Sequence, residues 1–527
     1  MGFLALFFLF PLFTILRLSL GGEQGSTLLA TLGDRYYLGR LWFTAYQALL
    51  STGFTLVLAL PSAFIFARYQ FPGRTLLRAL TTVPFVMPAL VVALGFLALA
   101  GPQGLLTQLL TSLGLPPLRL GRTLWAIILA HGFYNYAVVV RLVGNFLAHL
   151  DQQLEEAART LGARPGQVLW RVTLPLLASP LCAAALLVFT FCFTSFGVVL
   201  ILGGQRYATL EVSIYILSTT LDLGPAAALA LVQMLFTYWF MVVYARLQGA
   251  LAVPLDFAPE QQNLRRPQGL VWGWIGLNFL VVSVIVLGPL LGLVARALTL
   301  GGTFTGEYFQ ALFAPGRTFT APWFAALNSL RFALGTVALA LPLGTILAHL
   351  LARSRSTLLD AVTMLPLGTS AVTLGLGFLL GFARPPLDLR GSWLLLVIAH
   401  SLLAYPFVVR AALPVLQGLQ RNLVDAARTL GATPARAFSR VQLPLLAPAL
   451  LVGATFAFAV SMGEFGATLV LRRPEYTTLP IAIYSLLGRP GLANLGQALA
   501  MSCVLMAACA LGFVAIERTR YRGLGGF

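Results

Sequence analysis

Apolar runs close to 20 residues long recur from one end of this chain to the other, separated by short segments that carry arginine. A helix needs roughly 20 apolar residues to cross ~30 Å of hydrocarbon. A transmembrane barrel would instead show segments of ~10 residues alternating polar and apolar, and these runs do not alternate. At 59% hydrophobic and 9% charged residues the chain is too apolar for a soluble globule, and the bilayer is its expected solvent. Apolar runs and charged breaks predict about twelve spans. They fall near 2–20, 43–67, 79–100, 123–145, 174–202 and 224–246, then 269–296, 323–351, 358–382, 392–412, 443–471 and 494–516. The expected fold class is an all-α integral membrane protein. The first run, Met1 to Leu20, reads as a span and not a signal peptide, because it lacks a basic n-region and an A-x-A site and Arg17 interrupts its end.

The net charge of +18 does not point to nucleic acid, since the charges sit between hydrophobic runs and form no basic stripe. All 34 basic residues are arginine. Without lysine the chain cannot form a nucleotide-binding P-loop, whose Lys contacts the β- and γ-phosphates, so any ATP chemistry belongs to another chain. With a cytoplasmic N-terminus, about twenty of the arginines, including Arg518, Arg520 and Arg522, fall on the cytoplasmic side, and both termini are expected there. Cys182, Cys192, Cys503 and Cys509 lie inside apolar runs with no CxxC pair and read as packing residues.

Superimposed on the runs is an internal repeat. AHGFYNYAVVVRL from Ala130 aligns with AHSLLAYPFVVRA from Ala399, and EAARTLGARP from Glu156 with DAARTLGATP from Asp425. Leu174-Pro175-Leu176-Leu177 matches Leu443-Pro444-Leu445-Leu446, Phe196-Gly197 matches Phe465-Gly466, and Ile214-Tyr215 matches Ile483-Tyr484, all at a shift of 269 positions. Shared hydrophobicity does not align Arg, His, Gly and Pro without gaps. The expected organisation is two pseudo-symmetric six-helix halves, 1–247 and 269–527, joined by a polar, proline-containing cytoplasmic linker at 248–268.

Between the fourth and fifth spans of each half lies a segment too charged for lipid. Leu154, Ala157, Ala158 and Leu161 recur at helical spacing, Gly162 ends that helix, and Pro165 opens the next. Val424, Ala426, Ala427, Leu430, Gly431 and Pro434 repeat the pattern. One such copy would equally suit an amphipathic helix on the membrane surface. Two copies at equivalent places in two halves point instead to a paired docking device.

These segments resemble the EAA loop of binding-protein-dependent ABC importer permeases, E-A-A, three residues, G, nine residues, then I/L-x-L-P. Glu156, Ala157, Ala158 and Gly162, followed by Val172, Thr173, Leu174 and Pro175, carry the first copy. Asp425, Ala426, Ala427 and Gly431, followed by Val441, Gln442, Leu443 and Pro444, carry the second. Val replaces Ile or Leu in both copies, and Asp replaces Glu in the second. The resemblance implies a type I permease fold in a bacterial inner membrane, surrounded by lipid. It implies two copies of an ABC ATPase that bind ATP and Mg and receive these helices in a groove, and an extracytoplasmic solute-binding protein. This chain is then a transport subunit and not an enzyme, with no catalytic residues and no cofactor of its own.

A fused two-half permease of this length resembles the ferric-iron and thiamine branch, on GEFGATLVL from Gly463 with Tyr476-Thr477-Thr478-Leu479-Pro480, and SFGVVLILGG from Ser195 with Tyr207-Ala208-Thr209-Leu210-Glu211. Ferric iron is the first expectation for the cargo and thiamine the alternative. Glu464 is the sharpest candidate for the solute path, being an ionisable group in an apolar span, where charge is expensive. With the mouth-region residues Glu211, Glu475, Tyr207 and Tyr476 it would form an acidic path for hard Fe³⁺, while a carboxylate beside aromatic faces would serve cationic thiamine equally well. An interhelical hydrogen bond near the end of a broken helix is the other reading of Glu464. His131 and His400 occupy equivalent positions and read as interhelical hydrogen-bonding groups before a metal pair. Arg141 and Arg410 read as snorkelling anchors. An ion-coupled secondary transporter is the rival of another class, but it needs midplane coupling groups, for which the chain offers only Glu464 and two histidines.

Overall fold

A computed structural model describes residues 2–21, 27–81, 83–118, 120–250, 264–299, 302–314, 322–354, 356–382, 387–389, 391–418 and 421–523. Its first half is built on α1 (Gly2–Leu20), α2 (Arg35–Arg68), α3 (Ala89–Ala100), α4 (Leu124–His149), α5 (Gln153–Thr160), α6 (Leu174–Phe193), α7 (Leu210–Thr219) and α8 (Leu223–Ala250). The second half repeats this order as α9 (Leu270–Thr299), α10 (Pro322–Ser354), α11 (Ala371–Gly381), α12 (Trp393–Gly418), α13 (Arg421–Thr429), α14 (Leu443–Gly463), α15 (Leu479–Leu487) and α16 (Leu492–Gly523). Eleven described helices are long and apolar enough to span a membrane, and a bent pair, Leu358–Gly368 with Ala371–Gly381, makes a twelfth if counted as one span. Starts are set by side-chain caps: Asp34 accepts from Tyr36 N (2.8 Å) ahead of α2, and Thr123 accepts from Ala126 N (3.2 Å) ahead of α4. Of the linker expected at 248–268, helix α8 takes 248–250, residues 251–263 lie outside the described residues, and 264–268 return to the first half.

The expected third span of each half is not one straight helix. In the first, Arg74–Leu80, Val83–Val86 and α3 are separate pieces, broken around Pro84 and Pro88. In the second the chain bends by 96° after Pro366 and Gly368. Proline removes a donor and pushes its predecessor out of the helical region, and here the spans break instead of absorbing it. The register of 269 also holds only from the fourth spans onward. Pro61 matches Pro342 at 281 positions and Gly95-Phe96 matches Gly377-Phe378 at 282. The first half carries an extra short helix, Leu105–Ser112, between α3 and α4, which accounts for the jump.

Each half lends its first helix to the other. Helix α1 packs on α11 and α8, and α9 packs on α3 and α16. A Cβ at Gly95 would lie 2.7 Å from the Pro289 carbonyl oxygen, and one at Gly377 would lie 3.0 Å from Pro11 Cβ, so both crossings need glycine. Within each half, α2 packs on α4 and α10 on α12. Buried hydroxyls tie helices together: Ser51 on α2 meets His131 Nδ1 on α4 (2.9 Å), and His400 on α12 meets Ser461 on α14 (2.8 Å) and Thr468 just beyond it (2.8 Å). The two histidines thus hold helices together.

Candidate functional site

Both copies of the charged motif fold as a short helix, a turn and a second helix. After α5, Gly162 N donates to Arg159 O (2.9 Å) and Ala163 N to Ala158 O (3.0 Å). After α13, Gly431 N donates to Arg428 O (2.9 Å) and Ala432 N to Ala427 O (3.0 Å). This is the same Schellman closure twice, with φ of +87° at Gly162 and +82° at Gly431. Pro165 and Pro434 begin the next helices, which pass through a π-helical turn, Leu169–Thr173 and Phe438–Gln442, into α6 and α14. A push on α5 or α13 therefore reaches the fifth span through one turn of backbone.

The outward faces match. Glu156, Ala157, Asp425 and Ala426 are exposed, and Ala158 and Ala427 half-buried. Leu161 is 89% and Leu430 88% exposed, an apolar tip on each loop that water does not favour and a groove would cover. Because nothing lies within 4 Å of a Cβ at either glycine, Gly162→Ala with Gly431→Ala tests backbone strain alone, about 1 kcal/mol at each turn. The double variant is expected to insert normally and hydrolyse ATP with its partners while solute uptake falls; uptake at the original rate would show that the turns transmit nothing.

Glu155, which the motif alone did not single out, is the buried acid of α5. Its Oε1 accepts from Arg68 Nη2 (2.6 Å) and Thr173 Oγ1 (2.9 Å), and Arg159 approaches Oε2 at 3.7 Å. Its mate in the second half is Val424, and a carboxylate opposite a valine in a repeat was the available signal. Glu156 is paired within the chain, to Arg265 at 2.7 Å. Among the described residues Asp425 makes no ion pair.

At the other ends of α6 and α14 the chain breaks at Thr194–Phe196 and Glu464–Phe465 before short helices Gly197–Leu202 and Gly466–Val470. Phe196 and Phe465, equivalent in the repeat, stack on each other at 5.5 Å with 28° between rings. Two equivalent residues in contact mark the pseudo-twofold axis between the halves. Tyr215 abuts Phe196 and Tyr484 abuts Phe465, each at 5.4 Å, closing a four-ring plug. A Cβ at Gly197 would meet Ala89 at 3.2 Å and one at Gly466 would meet Ala371 at 3.1 Å, so the Phe-Gly pairs need glycine for close approach.

One turn before Tyr215 on α7, Glu211 is fully buried and not at the mouth of the path as expected. It accepts a hydrogen bond from Gln233 on α8, and its Oε2 has no hydrogen-bond partner. Glu464 faces it across the halves closely enough for the two carboxyls to interact, while its own Oε1 accepts from Ala467 N (2.8 Å) and caps the short helix after the break. Glu464 therefore has a local structural role as well as a place beside the plug. The other expected path residues lie elsewhere. Tyr207 packs on Phe43 (5.8 Å), the Tyr476 hydroxyl reaches Gly391 O (3.4 Å), and Glu475 is exposed; no described hydrogen bond or ion pair joins them to Glu211 or Glu464. Arg410 is more than a membrane anchor, lying 3.5 Å from Asp360.

Facing away from α5 and α13, a cavity of about 810 Å³ runs to Tyr484 of the plug and is lined by Arg122, Arg472 and Arg489. Its rim is cationic, with all three arginines exposed.

A family model described as "Binding-protein-dependent transport system inner membrane component" matches the chain twice, over residues 56–253 and 340–518. The chain is 28% identical over 499 residues to "Thiamine transport system permease protein ThiP" of Escherichia coli, covering 92% of this chain and 89% of that protein. It is 28% identical to the protein of the same name in Brucella abortus, covering 96% and 93%. A protein of Haemophilus influenzae named "Putative ferric transport system permease protein FbpB 1" is 25% identical, covering 82% of this chain and 69% of its own length. With the family's domain present once in each half, the chain belongs to the inner membrane components of binding-protein-dependent transport systems.

Proposed function

We propose that this ABC importer permease carries a small organic cation, thiamine, through a path on the pseudo-twofold axis. The supporting observation is the pair of carboxylates contributed by different halves, Glu211 with an unpartnered buried oxygen, next to four aromatic rings. A flat cation gains from ring faces as well as from carboxylates. Hard Fe³⁺ asks for a shell of oxygen ligands. Ferric iron is the second reading, favoured by the relative named as a ferric permease.

The cationic rim formed by Arg122, Arg472 and Arg489 repels a free cation, so solute reaches the plug from a docked binding protein whose carboxylates cover the arginines. Two ATPase subunits, with ATP and Mg, dock on α5 and α13 at the cytoplasmic face, where both termini lie. Their closure pulls α6 and α14 apart at the Phe-Gly breaks and opens the plug.

In proteoliposomes holding permease, ATPase and binding protein, thiamine-loaded binding protein is expected to stimulate ATP hydrolysis and uptake. Glu211→Gln with Glu464→Gln should lower uptake about tenfold, the effect of losing ~1.4 kcal/mol of cation stabilisation. Stimulation by the Fe³⁺-loaded binding protein alone would make iron the cargo, and full uptake by the double variant would remove the carboxylates from the path.

A further inference from the structure

The described end of the connector lies against the first half only. Arg265 N donates to Arg68 O (2.9 Å) and Gln70 N donates to Arg265 O (2.9 Å), a single parallel bridge at the end of α2. From that anchored backbone the guanidinium reaches α5, with Nη2 2.6 Å from Gln152 Oε1 and 2.7 Å from Glu156 Oε1. Beneath it lies the Arg68–Glu155–Thr173 set. These groups surround a cavity of about 200 Å³. Helix α5 is thereby tied to α2, to the connector and to the start of α6.

Among the described residues the second half shows none of these ties. At the positions of Arg68, Glu155 and Thr173 stand His349, Val424 and Gln442. His349 turns its ring to Phe438 (6.4 Å) instead of to an acid.

We infer that Arg265 is a positioning residue for the first coupling helix, and that the two ATPase docking sites are mechanically unequal because, among the described residues, the connector clasps the first alone. This rests on α5 and α13 being the docking helices. The clasp couples α5 rigidly to α2, while no such tie is described for α13. It also neutralises Glu156, whereas Asp425 makes no ion pair among the described residues, so a basic residue in the ATPase groove meets differently paired carboxylates at the two sites.

The test compares Arg265→Ala with the original chain in nanodiscs without ATPase, by amide hydrogen exchange. Both partners are about half exposed, with side-chain exposures of 47% and 56%, so the pair's share is modest. Arg265→Ala is expected to speed exchange of the 153–160 amides about fivefold and leave 421–429 unchanged. Arg265→Glu with Glu156→Arg should restore protection, and Arg265→Lys should restore part of it, since ammonium keeps the charge but not the fork. In the full complex, Arg265→Ala should raise ATP hydrolysed per solute moved. Unchanged exchange in α5, equal change in both helices, or failure of the swap overturns the clasp. Exchange as expected with an unaltered ATP-to-solute ratio overturns the positioning role through the docking reading.

Discussion

Replacing Phe465 with alanine is expected to make the permease leak in liposomes that contain no ATPase. On the proposed path the stack between Phe196 and Phe465 at 5.5 Å lies where the two halves meet on their common axis, and each ring has one flanking tyrosine at 5.4 Å. An aromatic pair of this kind adds about 1 kcal/mol beyond its buried area. Removing one ring also leaves a ring-sized void, and nearby polar groups such as Glu464 and the tyrosine hydroxyls give water a reason to fill it. A barrier lowered by ~1.4 kcal/mol passes small solutes about tenfold faster, so efflux of an entrapped small cation should rise at least that much. Because the partners are equivalent in the repeat, Phe196→Ala should leak comparably, whereas Phe465→Leu should leak less by keeping apolar bulk. If Phe196→Ala with Phe465→Ala holds its solute as tightly as the original chain, the stack is not the closure.

What was legible in the sequence is what local chemistry writes there. The spans follow from runs of apolar residues. The paired helix-turn-helix loops follow from Gly162, Pro165, Gly431 and Pro434, whose backbone demands are met within a few residues of each. The duplication was legible because polar residues inside spans, His131 and His400, recur at one shift. Long-range pairings were not. That α1 and α9 each pack on the opposite half depends on close approaches such as Gly95 to Pro289, which no periodicity announces. Prolines at 84, 88 and 366 lie inside apolar runs that read as continuous spans, yet they break them, because the freed backbone finds caps such as Ser370. Glu464 was found because a charge in an apolar run is costly. Glu211 was found as a mouth residue and proved buried, since its burial comes from α8 and α11, far along the chain. Arg265 reads as ordinary linker charge until the fold brings it to Glu156.

Arg68→Ala should be among the most destabilising single changes around α5. Arg68 and Glu155 are each 11% exposed in their side chains and 2.6 Å apart. Removing one member of a buried pair strands the other, typically costing 3–5 kcal/mol. Thr173 and Arg159 remain near Glu155, which places the expected loss near the lower end, about 3 kcal/mol. Replacing both charges by apolar groups of similar volume, Arg68→Met with Glu155→Leu, should recover most of that loss, because no ion is then left in a poorly hydrated site. The second half supports this directly: with Val424 opposite Glu155 and His349 opposite Arg68, it builds the same loop without the pair. Thermal unfolding of the purified permease should therefore rank the original chain and the double variant close together, with Arg68→Ala well below both. A double variant as unstable as the single one would mean that the pair supplies net attraction and not merely mutual neutralisation. In that case α5 is held by charge as much as by packing, and its stability should fall as salt rises, a dependence that α13 lacks.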